Sequence, residues 1–113
     1  MATRKLAKSE WQSYFDHVSK SLGGKQVEIE VSSLAIGDQI EANQVALKGL
    51  VFDPKSDVLE VVTENLDHMI RRPTEIYVLE SDEGLAVVEV LDGDGNKQIV
   101  KLTAPLLIAS DDR

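Results

Sequence analysis

Asp67, His68, Arg71 and Arg72 are the sharpest cluster of chemically capable side chains in this sequence. An imidazole beside a carboxylate, followed by two guanidinium groups, can hold a carboxylate or a phosphate, because the guanidinium fork matches the geometry of such anions. Leu66, Met69 and Ile70 fall at helical spacing, and Pro73 closes the segment by biasing Arg72 away from the α region. One helical turn here sets His68 three and four residues from Arg71 and Arg72, on a shared face. His68, Arg71 and Arg72 are therefore the candidate ligand-binding residues. The competing interpretation is structural, with His68 capping or packing a strand connection and the arginines pairing with local carboxylates, as clustered charges often do.

Other candidates weaken on inspection. Asp92-Gly93-Asp94-Gly95-Asn96 has the look of a calcium loop, since hard cations want oxygen ligands from alternate positions. Counted from Asp92, however, the position that requires glycine is Lys97 and the one that requires a bidentate acid is Thr103. A hairpin turn with glycines at positive φ is the better account. His17 beside Asp16 completes the histidine inventory, and two histidines with no cysteine do not make a transition-metal site without added carboxylates. No G-x-S-x-G elbow, Walker loop or dinucleotide fingerprint occurs. No catalytic residue, metal or cofactor is assigned.

The elements that position these residues follow from periodicity. Ser9 and Gln12 fit a capping box, and Trp11, Phe15, Val18 and Leu22 then recur at helical spacing with Tyr14 beside them. These rings are expected to be core rather than a binding patch. Gly23 and Gly24 end the helix. From Lys25 the period becomes two, with Val27, Ile29 and Val31 on one face and Gln26, Glu28 and Glu30 on the other. The segment from Ser32 to Asn43 stays open: Gly37-Asp38 reads as a turn and Ile40 fits either a short strand or a loop. Val45 to Phe52 is an apolar run that stops at Asp53-Pro54-Lys55-Ser56, which suits a type I turn, and Val58 to Thr63 returns beside it. Thr74 to Leu79, Leu85 to Leu91 and Lys97 to Leu102 are three further β-rich runs joined by short turns, and short turns favour antiparallel pairing. Ala104 to Ala109 is apolar enough to add a last strand or a cover.

The fold class expected is α+β: an N-terminal amphipathic helix packed on an antiparallel sheet of about six strands. That sheet is either an open layer or curls into a small SH3-like or Sm-like barrel. Residues 1–8 are expected as a flexible lead-in, 9–109 as the single domain and 110–113 as a frayed tail. A chain of 113 residues supports one core without staples.

Composition narrows the partners. Twenty acidic against twelve basic residues give a formal charge of −8, which repels phosphate backbones and anionic lipid, and the five aromatic residues are too few for a base-stacking platform. Nucleic acid and membrane are thus not the expected partners. Cysteine is absent, which excludes disulfides and thiolate sites and leaves the redox compartment undetermined; no apolar run approaches a membrane span and the basic residues before Ser9 are not followed by a signal-peptide core, so a cytoplasmic protein is expected.

Glu10-Trp11 at the helix start, the Leu47-Lys48-Gly49-Leu50 run, and His68-Met69-Ile70-Arg71-Arg72-Pro73 together resemble a family of small bacterial domains catalogued only as a domain of unknown function. The resemblance spans nearly the whole chain, with His-x-Ile-x-x-Pro its most specific pattern. It implies an α+β fold and a bacterial source, and it carries no activity and no catalytic residue. Two functional expectations follow. The leading one is a non-enzymatic interaction or scaffold module, with an unidentified protein partner or a second copy of the chain. The alternative is a small-molecule anion sensor or enzyme built on His68, Arg71 and Arg72.

Overall fold

The change of period between residues 22 and 25 becomes a change of element in a computed structural model of the chain, which describes residues 2–22, 25–33 and 37–106. In order these form β1 (Ala2–Lys5), a 3-10 turn (Lys8–Glu10), α1 (Trp11–Lys20), β2 (Gln26–Ser33), β3 (Gly37–Asp53), β4 (Val58–Thr63), β5 (Asp67–Arg71), β6 (Glu75–Ser81), β7 (Gly84–Leu91) and β8 (Lys97–Leu106). Among the described residues the strands make one sheet in the order β1-β6-β7-β8-β2-β3-β4-β5. Every neighbouring pair is antiparallel. Among the described residues the fold is α+β with a single α-helix, and the sheet is not closed: β1 and β5 are its two terminal strands.

Eight strands replace the six expected, and the two additions have physical causes. β1 lies in the segment expected to be a flexible lead-in. Its four residues carry almost no apolar signal because it joins the sheet by main-chain pairing to β6, and the apolar anchor, buried Leu6, comes just after it. β5 replaces the expected helical turn. Leu66, Met69 and Ile70 mimic helical spacing, but only Ile70 is buried; Leu66 and Met69 face solvent.

β3 organises the molecule. Its seventeen residues pair with β2 through Ala46 and with β4 from Leu47 onward. Gln44, at φ 55°, and the register shift between Leu47 and Gly49 bend it, because a residue inserted on one strand kinks the ladder. Gly37, at φ 74°, opens β3, so the segment left undecided by the sequence is strand from there on. The Asp53 reversal is one residue wider than a type I turn: the Asp57 N–H donates to the Asp53 carbonyl at 2.9 Å, with Asp57 at φ 56°.

α1 begins at Trp11 rather than at Ser9, after the 3-10 turn, and Glu10 Oε1 accepts from the Ala7 N–H at 2.9 Å. It ends at Lys20, ahead of Gly23 and Gly24, which lie outside the described residues, as do 107–113 with the expected tail. Trp11, Phe15, Val18 and Leu22 are buried as the spacing requires, Trp11 edge-on to Phe52 of β3 with ring centroids 5.1 Å apart. Val27 and Ile29 of β2 enter the same core, while Val31 is half-buried.

α1 also solves an edge problem. Among the described residues β3 has no strand on the β2 side beyond Ala46, and there Ser19 Oγ accepts from the Leu50 N–H at 2.9 Å and donates to the Leu50 carbonyl at 2.8 Å. One hydroxyl therefore satisfies both main-chain groups of a buried strand residue.

Candidate functional site

β5 decides how the predicted cluster is arranged. Strand alternation sends His68 and Ile70 inward and Asp67, Met69 and Arg71 outward, so His68 and Arg71 lie on opposite faces and not on a shared one. Inside, His68 Nε2 meets Gln98 Oε1 at 2.6 Å, and Gln98 Nε2 donates to Asp92 Oδ2 at 2.8 Å. Because the Gln98 amide nitrogen is committed to Asp92, its oxygen accepts and the His68 proton sits on Nε2. Asp92 Oδ1 in turn accepts from the N–H groups of Asp94 and Asn96, each at 2.9 Å. Asp92 and Gln98 are buried. Burial by itself would raise the Asp92 pKa; the Gln98 amide and the two N–H donors outweigh it and hold the carboxyl below its ordinary range.

Arg72 follows at φ 52°, its guanidinium donating to Asp94 Oδ1 at 2.6 Å. The β7–β8 turn approaches so closely that a Cβ on Gly93 would stand 2.7 Å from the Arg72 Cβ, which is why glycine is needed there. His68 and Arg72 are thus gathered onto this turn, and the Asp92 to Asn96 segment is a hairpin connection whose first carboxylate is occupied by its own amides. Among the described residues no three His, Asp or Glu side chains gather to hold a metal ion. His17 is half-buried on α1 beside buried Val18. Trp11 and Phe15 are core, and Tyr14 donates to Glu80 Oε2 at 2.8 Å.

The outer face of β3, β4 and β5 holds what the sequence did not signal. Val51, Glu60 and Met69 stand in one cross-strand row, with Val51 and Met69 about two-fifths exposed. Beside them lies a concavity of about 280 Å³ lined by Asp53, Ser56, Val58 and Arg71 together with that row. Half-burial, then a hydrogen bond and like charge from Asp67, raise the Glu60 pKa above the ordinary carboxylate range. Arg71 has no ion-pair partner among the described residues. The available signal was the alternation Asp67, Met69, Arg71, an apolar residue between opposite charges on the outer side of a strand. A second cleft, of about 410 Å³, lies between the β1 end and α1, lined by Lys5, Leu6, Ala7, Lys8, Trp11 and Thr74.

Among the described residues no helix is long and apolar enough to cross a membrane. No solved structure matches the chain. It is similar to an uncharacterised protein of Aquifex aeolicus (strain VF5), 43% identical over 103 residues that make up 90% of this chain and 93% of the relative. The model of a family of unknown function, DUF5335, matches residues 2–110. With matched residues running from β1 to beyond β8, the chain belongs to that family.

Proposed function

We propose that this domain is a non-enzymatic protein-interaction or scaffold module, working in the cytoplasm, whose contact surface is the outer face and free edge of the β3–β4–β5 lobe. The observation that carries the reading is the placement of exposed Val51 and Met69 in one row that ends on a terminal strand. A terminal strand offers unpaired main-chain groups, and adjacent apolar side chains supply the burial that stabilises strand addition. Less supports the alternative of an anion sensor or enzyme at His68, Arg71 and Arg72, because His68 is engaged by Gln98, Arg72 by Asp94, and Arg71 faces the other way.

The test is affinity capture from the native host with the native domain and a Val51→Lys, Met69→Lys double variant, which sets opposite rather than like charge beside Glu60, alongside light scattering of both. Both positions are exposed, so the variant is expected to keep its stability within about 0.5 kcal/mol per site. The reading predicts an association, with another protein or with itself, that the double variant loses. Equal behaviour of the two proteins in every association measured would contradict it.

A further inference from the structure

The hydrogen-bond phase of the β4–β5 ladder shows which side of β5 is open. The Arg72 N–H donates to the Asp57 carbonyl at 2.8 Å and the Thr63 N–H to the Leu66 carbonyl at 2.9 Å, one at each end of the ladder. In an antiparallel pair, residues bonded to the neighbour alternate with residues whose N–H and C=O point away from it. With Val61 opposite His68 and Leu59 opposite Ile70, it is His68 and Ile70 that bond to β4. The N–H and C=O groups of Asp67, Met69 and Arg71 therefore point to the free edge. The contact seen on that edge is at its far end, where the Gly93 N–H reaches the Arg71 carbonyl at a long 3.4 Å.

The same three residues carry a self-complementary side-chain pattern. Reversed about Met69, the series Asp67, Met69, Arg71 sets each aspartate opposite an arginine and methionine opposite methionine. Neither Asp67 nor Arg71 has an ion-pair partner among the described residues, and Asp67 instead lies beside another acid, Glu60, whose pKa it helps to raise. The other terminal strand lacks these properties. On β1, Arg4 is already paired with Glu10 and Glu80, and Lys5 with Glu75, as expected of a protected edge.

We propose that two copies of this chain associate by antiparallel pairing of their β5 strands about a two-fold axis at Met69, with Asp67 of each opposite Arg71 of the other. This rests on the lobe being an interaction surface and names a second copy as its occupant. The row Val51, Glu60, Met69 then continues across the axis into its own mirror sequence, forming one continuous sheet. The two Met69 residues exchange the central main-chain hydrogen bonds. At the ends, each Arg71 N–H donates to the Asp67 carbonyl of the other copy, and the Arg71 carbonyl, which has two lone pairs, accepts from the Asp67 N–H alongside Gly93. A patch of this extent is small, so the association is reversible, with a dissociation constant on the order of micromolar.

Charge exchange tests the register. Arg71→Glu and Asp67→Lys each turn two attractive cross-strand pairs into repulsive ones, and each is expected to weaken self-association by roughly tenfold or more in sedimentation or light scattering. Mixed in equal amounts, the two variants restore both pairs, and the mixture is expected to regain the native dimer, a recovery that a misfolded variant cannot produce. A native chain that stays monomeric across the concentration series overturns the self-pairing, as does a dimer indifferent to both substitutions or a mixture that stays monomeric. In those cases loss of a different protein by the Val51, Met69 double variant still decides the broader reading, so the two failures are separable.

Discussion

Asp92 is held ionised against its own burial by three donors, Gln98, Asn96 and Asp94, and that balance makes it a pH-dependent support of the β7–β8 turn. A carboxylate whose folded pKa lies below its unfolded value of about 3.9 adds stability above that value and loses it as pH falls through the folded pKa. Asp92→Asn removes one of the two accepting oxygens and sets an amide nitrogen against a donor. It is expected to cost about 1–3 kcal/mol at pH 7, and the gap between variant and native should narrow as pH drops below about 4. Urea unfolding of both proteins at neutral and acidic pH measures this; an equal cost at both would contradict it. The residue types around His68 and Arg72 were legible as a structural network, and pairing of an arginine with a local carboxylate was anticipated. The partners were not legible. Gln98, thirty residues from His68, is neutral and gives no charge signal, and Asp94 is twenty-two from Arg72.

At the scale of elements, α1 is both a core helix and the cover for the unpaired stretch of β3. Ser19→Ala is expected to destabilise the protein by about 1–3 kcal/mol, because it leaves the Leu50 N–H and C=O without the hydroxyl that satisfies both. Faster exchange of the Leu50 amide, with little change at β7 and β8, would check that the loss is local. Periodicity was enough to read α1 and β2, where Trp11, Phe15, Val18, Val27 and Ile29 repeat on one buried face. It failed at β3, because the positive φ of Gln44 and the shift near Lys48 interrupt alternation and split one strand into an apparent loop and an apparent run. It failed at β5 for another reason: an exposed methionine beside a buried isoleucine gives a five-residue strand the spacing of a helical turn.

Across the whole molecule, the antiparallel α+β class could be read from turn lengths, but strand order could not, because β1 pairing with β6 and β2 with β8 join residues distant in sequence through main-chain register. An open sheet leaves two terminal strands, and the molecule treats them differently: β1 has its charges paired within the chain, whereas β5 presents Met69 between an acid and a base that have no ion-pair partner among the described residues. That asymmetry is the ground for proposing the β5 edge as the interaction surface. Amide hydrogen exchange of β5, followed by NMR over a concentration series, tests it most directly. A free β5 edge that pairs with a second copy keeps the His68 and Ile70 amides protected at every concentration, with those of Asp67 and Met69 exchanging quickly in dilute protein and slowing as concentration rises. Asp67 and Met69 amides as protected as those of His68 and Ile70 in dilute solution, or unchanged on concentrating, would contradict it.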